Sequence, residues 1–318
     1  MSIKNKNILV TGGCGYVGSV LVAKLLAQDA NVTVFDNQWF GNYLDKNHKL
    51  EIIKDDIRNI EKYNLKEFDK IVHLANIAND PGVELNPSLS WEINVLASNQ
   101  IMDKICNKSS VDQIVYASSG SVYGVKEEAE VTEELSLVPI SVYNKTKMVS
   151  EKVLLSYKDE IKVHCIRPAT VCGISPRMRL DVSVNMLAFQ ALKNKVMTIY
   201  GGQQVRPNIH ILDLTDAIIH FLENSEIKNG VYNAGFENLS ILDIAEKVNK
   251  KIKCEIKILP VNDIRSYRLN SDKLLKTGFK KRYSVDDAIS EIIEQYNNGK
   301  LIEKDSYYTV KWMKHLNI

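Results

Sequence analysis

The chain lacks the features that mark secreted, membrane-spanning or nucleic-acid-binding proteins. Its five cysteines, Cys14, Cys106, Cys165, Cys172 and Cys254, are odd in number and have no paired spacing. That argues against a disulfide framework and against a zinc site, and the sequence implies no metal. No apolar run approaches the roughly 20 residues that span a bilayer, and the short polar lead carries no cleavage-type signal. Charge of either sign is nearly balanced, with 41 Lys+Arg against 39 Asp+Glu for a net +2. That is too small to imply nucleic acid or an anionic membrane as the partner, and it leaves room for a local basic pocket for phosphate. The late cluster Lys273, Lys276, Lys280, Lys281 and Arg282 reads as a solvated helix end and loop. Internal repeats and low-complexity segments are absent. The expectation is a reduced, soluble, cytoplasmic protein whose 318 residues can build a full core, as one large α/β unit or two sub-domains.

What is present begins with a short apolar strand, Asn7 to Thr11, followed directly by Gly12-Gly13-Cys14-Gly15-Tyr16-Val17-Gly18. Ser19 to Gln28 then has helical apolar spacing. Strand, glycine loop and helix form the setting of a dinucleotide fingerprint. Glycines permit the tight turn and close approach to a pyrophosphate, which then lies at the positive helix end. A second strand, Asn31 to Phe35, ends at Asp36. A carboxylate there accepts hydrogen bonds from adenosine ribose hydroxyls and repels a 2′-phosphate, favouring NAD over NADP.

Strands at Leu50–Lys54, Lys70–Ala75, Gln113–Ser118 and Lys162–Arg167 alternate with long helices at Trp91–Asn107 and Val142–Tyr157. This alternation predicts an α/β fold with a doubly wound parallel sheet. After Pro168 the pattern loosens into a smaller mixed α/β region. Its predicted helices are Met186–Lys195, Asp213–Glu223, Ser240–Lys251 and Ser284–Asn298, with strands at Asn208–Leu212, Val231–Ala234 and Glu255–Leu259. We expect a cofactor-binding domain over 1–170 and a substrate-binding region over 171–318, with 206–238 packing back on the first domain.

Within the helix from Val142, Tyr143 and Lys147 stand four apart and share a face. A lysine ammonium beside a phenol favours phenolate, drawing a tyrosine toward base chemistry.

Taken in order, these segments resemble the extended short-chain dehydrogenase/reductase superfamily, in its nucleotide-sugar epimerase/dehydratase branch. The markers are Thr-Gly-x-x-Gly-x-x-Gly at Thr11 to Gly18, Asp36, Asp56-Ile57-Arg58, His73-Leu74-Ala75, Asn94-Val95, the run Tyr116 to Gly124, Tyr143-x-x-x-Lys147, Arg167-Pro168 and Arg206-Pro207-x-Ile209-His210. The resemblance implies a Rossmann domain, NAD as cofactor, a nucleotide-diphosphate sugar as substrate, and a homodimer paired through the two long helices.

The implied roles fall residue by residue. Tyr143 would take the proton from a sugar hydroxyl; Lys147 would lower its pKa and bind the nicotinamide ribose, and Ser119 would hydrogen-bond the oxygen that becomes a carbonyl. Gly12, Gly15, Tyr16, Val17, Asp36, Asn37, Leu74, Ala75, Asn76 and Asn94 would serve the cofactor, with Asp56 and Ile57 flanking adenine. Arg58 reads as surface charge at a helix start, and His73 as a hydrogen-bonded structural histidine. On the substrate side stand Asn185 and Arg206 for the diphosphate, Arg177 and Arg179 as substrate contacts or partners of acidic neighbours, and Asn79 as a contact or an ordinary turn residue. Arg265 and Arg268 are weaker phosphate candidates. Ser118 and Ser121 read chiefly as hydroxyls satisfying the local turn, with Ser121 also a substrate candidate.

Two departures narrow the reaction. The 4,6-dehydratases of this branch carry an Asp-Glu pair after the residue matching Ser119, whereas this chain has Gly120 and Ser121. Elimination by that route is therefore not expected. Cys172 stands where the branch usually has tyrosine, which predicts a smaller, less polar pocket wall and room for a bulkier sugar. The reading is NAD-dependent oxidation at C4 of a nucleotide-linked hexose or heptose, as a 4-epimerase or 4-dehydrogenase. The alternatives are a 4-ketosugar reductase and a non-catalytic NAD-sensing protein.

Overall fold

A computed structural model of the chain describes residues 2–106, 110–260 and 266–318. The predicted helix end at Asn107 and the candidate Arg265 lie outside the described residues. The strands are β1 (Asn7–Thr11), β2 (Asn31–Phe35), β3 (Leu50–Ile53), β4 (Lys70–His73), β5 (Gln113–Ala117), β6 (Lys162–Pro168), β7 (Thr170–Cys172), β8 (Val196–Tyr200), β9 (Val205–His210), β10 (Gly230–Ala234), β11 (Glu237–Ser240) and β12 (Glu255–Leu259). The helices are α1 (Tyr16–Ala27), α2 (Asp80–Val83), α3 (Pro87–Trp91), α4 (Ala97–Ile105), α5 (Val142–Leu155), α6 (Ser183–Asn194), α7 (Ile211–Glu223), α8 (Ile241–Lys251), α9 (Asp272–Leu275), α10 (Val285–Asn297) and α11 (Thr309–His315).

Seven parallel strands form one sheet in the order β10-β6-β5-β4-β1-β2-β3. Its strands read as continuous apolar runs because both faces are covered. Ile8 and Val10 of β1 enter a core with Leu21, Val22 and Leu25 of α1 and Leu214 and Ala217 of α7. Leu9, one residue out of phase, faces Ile101 and Met102 of α4 and Leu154 of α5. The period-two alternation of a strand thus feeds two cores at once. This is the doubly wound parallel sheet that the sequence predicted.

Strand order reverses on either side of β1, so a crevice opens at the carboxyl ends of β1 and β4, where open α/β sheets hold ligands. The remaining strands form a three-stranded sheet, β11-β9-β7, and a two-stranded parallel sheet, β12-β8. A third core, from α6, α8 and α10, backs these strands and also takes in Tyr16 and Val20 of α1.

The predicted helix 91–107 is three pieces, in which a π-helical turn, Glu92–Leu96, separates α3 from α4. Strands β7, β8 and β11 and the terminal helix α11 were not anticipated, being short or weakly periodic. Among the described residues no helix is long and apolar enough to cross a membrane.

Candidate active site

A cavity of about 910 Å³ occupies the crevice. Its first wall is the glycine loop. Gly12 has φ +72°, and a Cβ there would lie 2.6 Å from the amide nitrogen of Ala75. A Cβ on Gly18 would lie 2.3 Å from the Gly12 carbonyl. Only glycine lets this loop rest against the end of β4 and against its own helix. The first turn of α1 has no acidic residue and no side-chain cap, so its amides and the helix dipole face the cavity uncompensated.

Beside the loop, the Asp36 carboxylate accepts from the amides of Cys14 at 3.0 Å and Gln38 at 2.7 Å. Burial raises its pKa, and these two donors act against burial. The carboxylate is thereby fixed at the cavity edge. Tyr16, Val17, Asn37, Ile57, Leu74 and Ala75 also line the cavity. So does Asn76, whose amide oxygen and nitrogen are both buried without a protein partner, a set of groups waiting for a ligand's polar atoms. A glycine cradle, an anion-favouring helix end, a ribose-type carboxylate and an unsatisfied amide together fit a dinucleotide.

Asp56 is placed differently from its expected role. Its carboxylate is held by the Arg58 fork, 3.0 Å from Nη2 and from Nε, and it does not line the cavity. Arg58 pairs in addition with Glu92, as a surface charge would. The neighbouring Asp55 lines the cavity instead, accepting from Asn59 and Tyr63, bonds that lower its pKa.

The second wall comes from β5 and α5. Ser141 caps α5, accepting from Asn144 N, and the helix presents Tyr143 and Lys147 to the cavity. Burial pushes Tyr143 up to about 12, while Ser119 and the positive charge of Arg179 pull it down. Lys147 Nζ donates to the Ala117 carbonyl at 2.6 Å and lies 4.8 Å from the centre of the Tyr116 ring. Burial pushes its pKa down to about 7. The lysine is thus anchored to the strand end.

Ser119 and Ser121 stand 2.7 Å apart, and Ser121 Oγ donates to Asn144 Oδ1 at 2.7 Å. An amide oxygen only accepts, so Ser121 spends its proton there and Ser119 is the donor of the serine pair. The Ser121 hydroxyl therefore serves a side-chain relay, where a turn-satisfying role was expected. Among the described residues Ser118 Oγ has no hydrogen-bond partner, although the same turn-satisfying role was expected of it.

Asn94 and His73 sit behind these walls. Asn94, fully buried in the π-helical turn, accepts from Ile77 N and donates to Ile77 O and to Thr146 of α5. It braces the chain after β4 and does not line the cavity. His73 contacts Thr11 at 2.7 Å through Nδ1 and Ser98 at 3.1 Å through Nε2. Ser98 gives its proton to the Asn94 carbonyl, so Nε2 is the protonated nitrogen and Thr11 donates to Nδ1.

The third wall belongs to the later half of the chain. Arg177, Arg179 and Arg206 line the cavity, as do Asn79 and Asp80. Arg179 pairs with Asp181 at 2.8 Å. Asn79 (φ +75°) caps α2 by accepting from Gly82 N. Asn185 is fully buried behind the wall, bonded to Tyr16 Oη and to the backbone of Gly173 and Arg179. Arg268 is exposed and does not line the cavity. Cys172 is also fully buried, within the core that holds Met178 and Leu187. Cys172 does not line the cavity, contrary to the expectation that it forms a pocket wall. Sequence reasoning missed Asn144, whose role depends on the fold around Ser121. It also missed the α11 segment, where Tyr308, Thr309, Lys311 and Met313 close the cavity and Trp312 Nε1 donates to the Trp39 carbonyl.

With this geometry in place, similarity to known proteins decides the family. The model of the NAD dependent epimerase/dehydratase family matches residues 8–235. The chain belongs to that family. It is an NAD-dependent enzyme, and the Rossmann-type fold is the one the family's solved structures share. A putative UDP-glucose 4-epimerase of Methanocaldococcus jannaschii is 29% identical over 305 residues, covering 92% of this chain and 99% of its own. A UDP-N-acetylglucosamine 4-epimerase from Methanobrevibacter ruminantium M1, solved with UDP-N-acetylmuramic acid, is 27% identical, with TM-score 0.82 over 92% of this chain and 99% of that one. The UDP-glucuronic acid 4-epimerase from Bacillus cereus, solved with UDP-glucuronic acid and NAD, is 26% identical, with TM-score 0.79 over 91% and 100% of the two chains.

Proposed function

We propose that this family member oxidises a nucleotide-linked hexose or heptose at C4, and either returns the hydride to the opposite face as a 4-epimerase or releases the 4-keto sugar as a 4-dehydrogenase. One observation carries the choice of oxidation over elimination. Gly120 is buried, and a Cβ at that position would lie 3.3 Å from the Pro168 carbonyl and 3.4 Å from the Tyr267 hydroxyl. A side chain there would press on the Pro168 carbonyl, and neither Gly120 nor Ser121 carries the carboxyl group that elimination through the dehydratase pair requires. The 4-epimerase names of the relatives above support the same reading.

Bound NAD supplies the hydride acceptor. Tyr143, as phenolate, takes the C4 hydroxyl proton, while Ser119 turns its one proton from Ser121 to the same oxygen as it becomes a carbonyl. Arg179 and Ser119 favour the phenolate, and Lys147 at the strand end would reach ribose hydroxyls. Asp36 would hold the adenosine ribose, and Arg206 on β9 a phosphate of the substrate nucleotide, which suits its bidentate fork. Cytoplasmic location is part of this reading, and so is a homodimer through the α3–α4 and α5 faces. Trp91 and Leu96, 36% and 56% exposed on the first of these, support the dimer. Sedimentation that gives a monomer would remove it.

The test is a panel of UDP-, GDP-, CDP- and dTDP-linked sugars, followed by NADH absorbance and product stereochemistry, with Tyr143→Phe as control. The variant should bind NAD as the wild type does and lose turnover. Wild-type rates in it would end the assignment of Tyr143 as base.

A further inference from the structure

Among the described residues Arg177 has no ion-pair partner. Its side chain is 3% exposed. The guanidinium carbon lies 4.1 Å from the centre of the Phe40 ring. Nη2 reaches Thr309 Oγ1 only at 3.5 Å, the outer limit of a hydrogen bond, and Nε is buried with no partner. Among the described residues no carboxylate lies within ion-pair distance of it, and the nearby Asp181 is engaged by Arg179. Burial and the charge of Arg179 push Arg177 down to about 10. A buried, unpaired guanidinium is unfavourable unless an anion completes the site.

The location of the group says which anion. Arg177 is carried by the loop after β7, and that loop is fastened to the first turn of α1. Tyr16 Oη donates to the Gly173 carbonyl at 2.7 Å, Ser175 Oγ to the Tyr16 carbonyl at 2.7 Å, and Ser19 and Ser175 share a hydrogen bond of 2.9 Å. These bonds fix the arginine opposite the glycine loop. Its field reaches the Asp36 carboxylate and lowers it, and Phe40 lies on the same segment past β2. By contrast, Arg179 is the arginine felt by Tyr143. Arg177 therefore lines the cavity from a loop bonded to the first turn of α1, against Phe40 and on the side whose carboxylate is Asp36.

We propose that Arg177 binds the diphosphate of the dinucleotide, donating from Nε and the guanidinium edge to phosphate oxygens that the α1 amides hold from the other side. The proposal rests on NAD occupying this cavity, and it deepens that reading. Before cofactor binds, the arginine is an electrostatic liability. Afterwards it joins the β7 loop, Phe40 and α11 around the ligand, a basis for tight cofactor retention.

The experiment uses full-length protein freed of nucleotide. NAD, ADP-ribose and UDP affinities are measured by calorimetry, and melting temperature is measured with and without NAD. Arg177→Met should weaken NAD and ADP-ribose by roughly 30-fold or more, the scale of losing a buried charged hydrogen bond. It should leave UDP affinity within about twofold, and leave the apo melting temperature unchanged or higher because a buried cation is gone. Unchanged NAD affinity overturns the proposal. So does a loss confined to UDP, which would move the arginine to the substrate. Should the methionine variant fail to fold, Arg177→Lys decides: it should bind ADP-ribose several-fold more weakly than wild type, and wild-type affinity overturns the proposal. Wild-type protein that binds neither NAD nor ADP-ribose would overturn the underlying cofactor reading as well, an outcome separate from loss of the arginine effect alone.

Discussion

Lys147 is tied by its ammonium to the carbonyl of Ala117, at 2.6 Å, at the carboxyl end of β5. The four-residue spacing from Tyr143 predicts a lysine acting directly on the phenol. In the structure that spacing places the lysine across the strand end. The influences on Tyr143 are burial and Asp80, which raise its pKa, and Ser119 and Arg179, which lower it.

Arg179 is therefore expected to set the alkaline demand of the reaction. Replacing it by glutamine removes a cation that favours phenolate, so the rising limb of the pH–rate profile should move to higher pH. At pH 7 the rate should fall by roughly 10-fold, with partial recovery near pH 9. A profile that keeps its limb while the rate falls would make Arg179 a substrate contact alone.

Lys147 gives a stability signature that needs no substrate. Its pKa is about 7 in the fold against 10.5 unperturbed. Between those values the unfolded chain binds the proton that the folded chain refuses, so stability rises with pH across the window and is lowest below it. Comparing urea unfolding of wild type and Lys147→Met from pH 6.5 to 9.5 should show the wild type gaining a few kcal/mol that the variant does not gain. Parallel curves would mean that the lysine stays protonated in the fold.

Asn144 directs the serine relay by accepting from Ser121. Asn144→Ala removes the acceptor that orients Ser121, so the serine pair has no fixed direction and Ser119 is no longer held in place for the substrate oxygen. We expect kcat to fall by roughly 10-fold with NAD affinity intact. Asn144→Asp, which also accepts, should recover most of the rate. Equal losses in both variants would make Asn144 a packing residue only.

The fold was legible because strand, glycine loop and alternating apolar segments are local patterns, as Asn7–Thr11 followed by Gly12–Gly18 illustrates. The candidate site residues Ser119 and Tyr143 were legible as candidates for the same reason, since one follows the end of β5 and the other opens α5. What escaped depends on tertiary partners. Asp56 does not line the cavity, and its carboxylate is held by Arg58, two residues away, a partnership that the motif alone does not reveal. Cys172 faces the core because β7, a strand of three residues, pairs with β9, a register that no periodicity in so short a segment reveals. The closing role of α11 rests on a bond between Trp312 and Trp39, 273 positions apart.

His73 supplies the last test, on the acid side. It is fully buried and neutral, held by Thr11 and Ser98, and burial followed by the charge of Lys147 pushes its pKa down to about 3 from 6.5. Between pH 6.5 and 3 the unfolded chain takes up a proton that the folded chain does not, so His73 draws stability down as pH falls through that window. His73→Asn removes the titration and leaves one of the two hydroxyls without its partner, at a cost of about 1–3 kcal/mol near pH 7. The variant should thus be weaker than wild type at neutral pH, and the gap should narrow toward pH 4, as measured by urea midpoints. A constant gap would mean that the histidine titrates alike in both states, and that the hydrogen bonds to Thr11 and Ser98 do not hold it neutral.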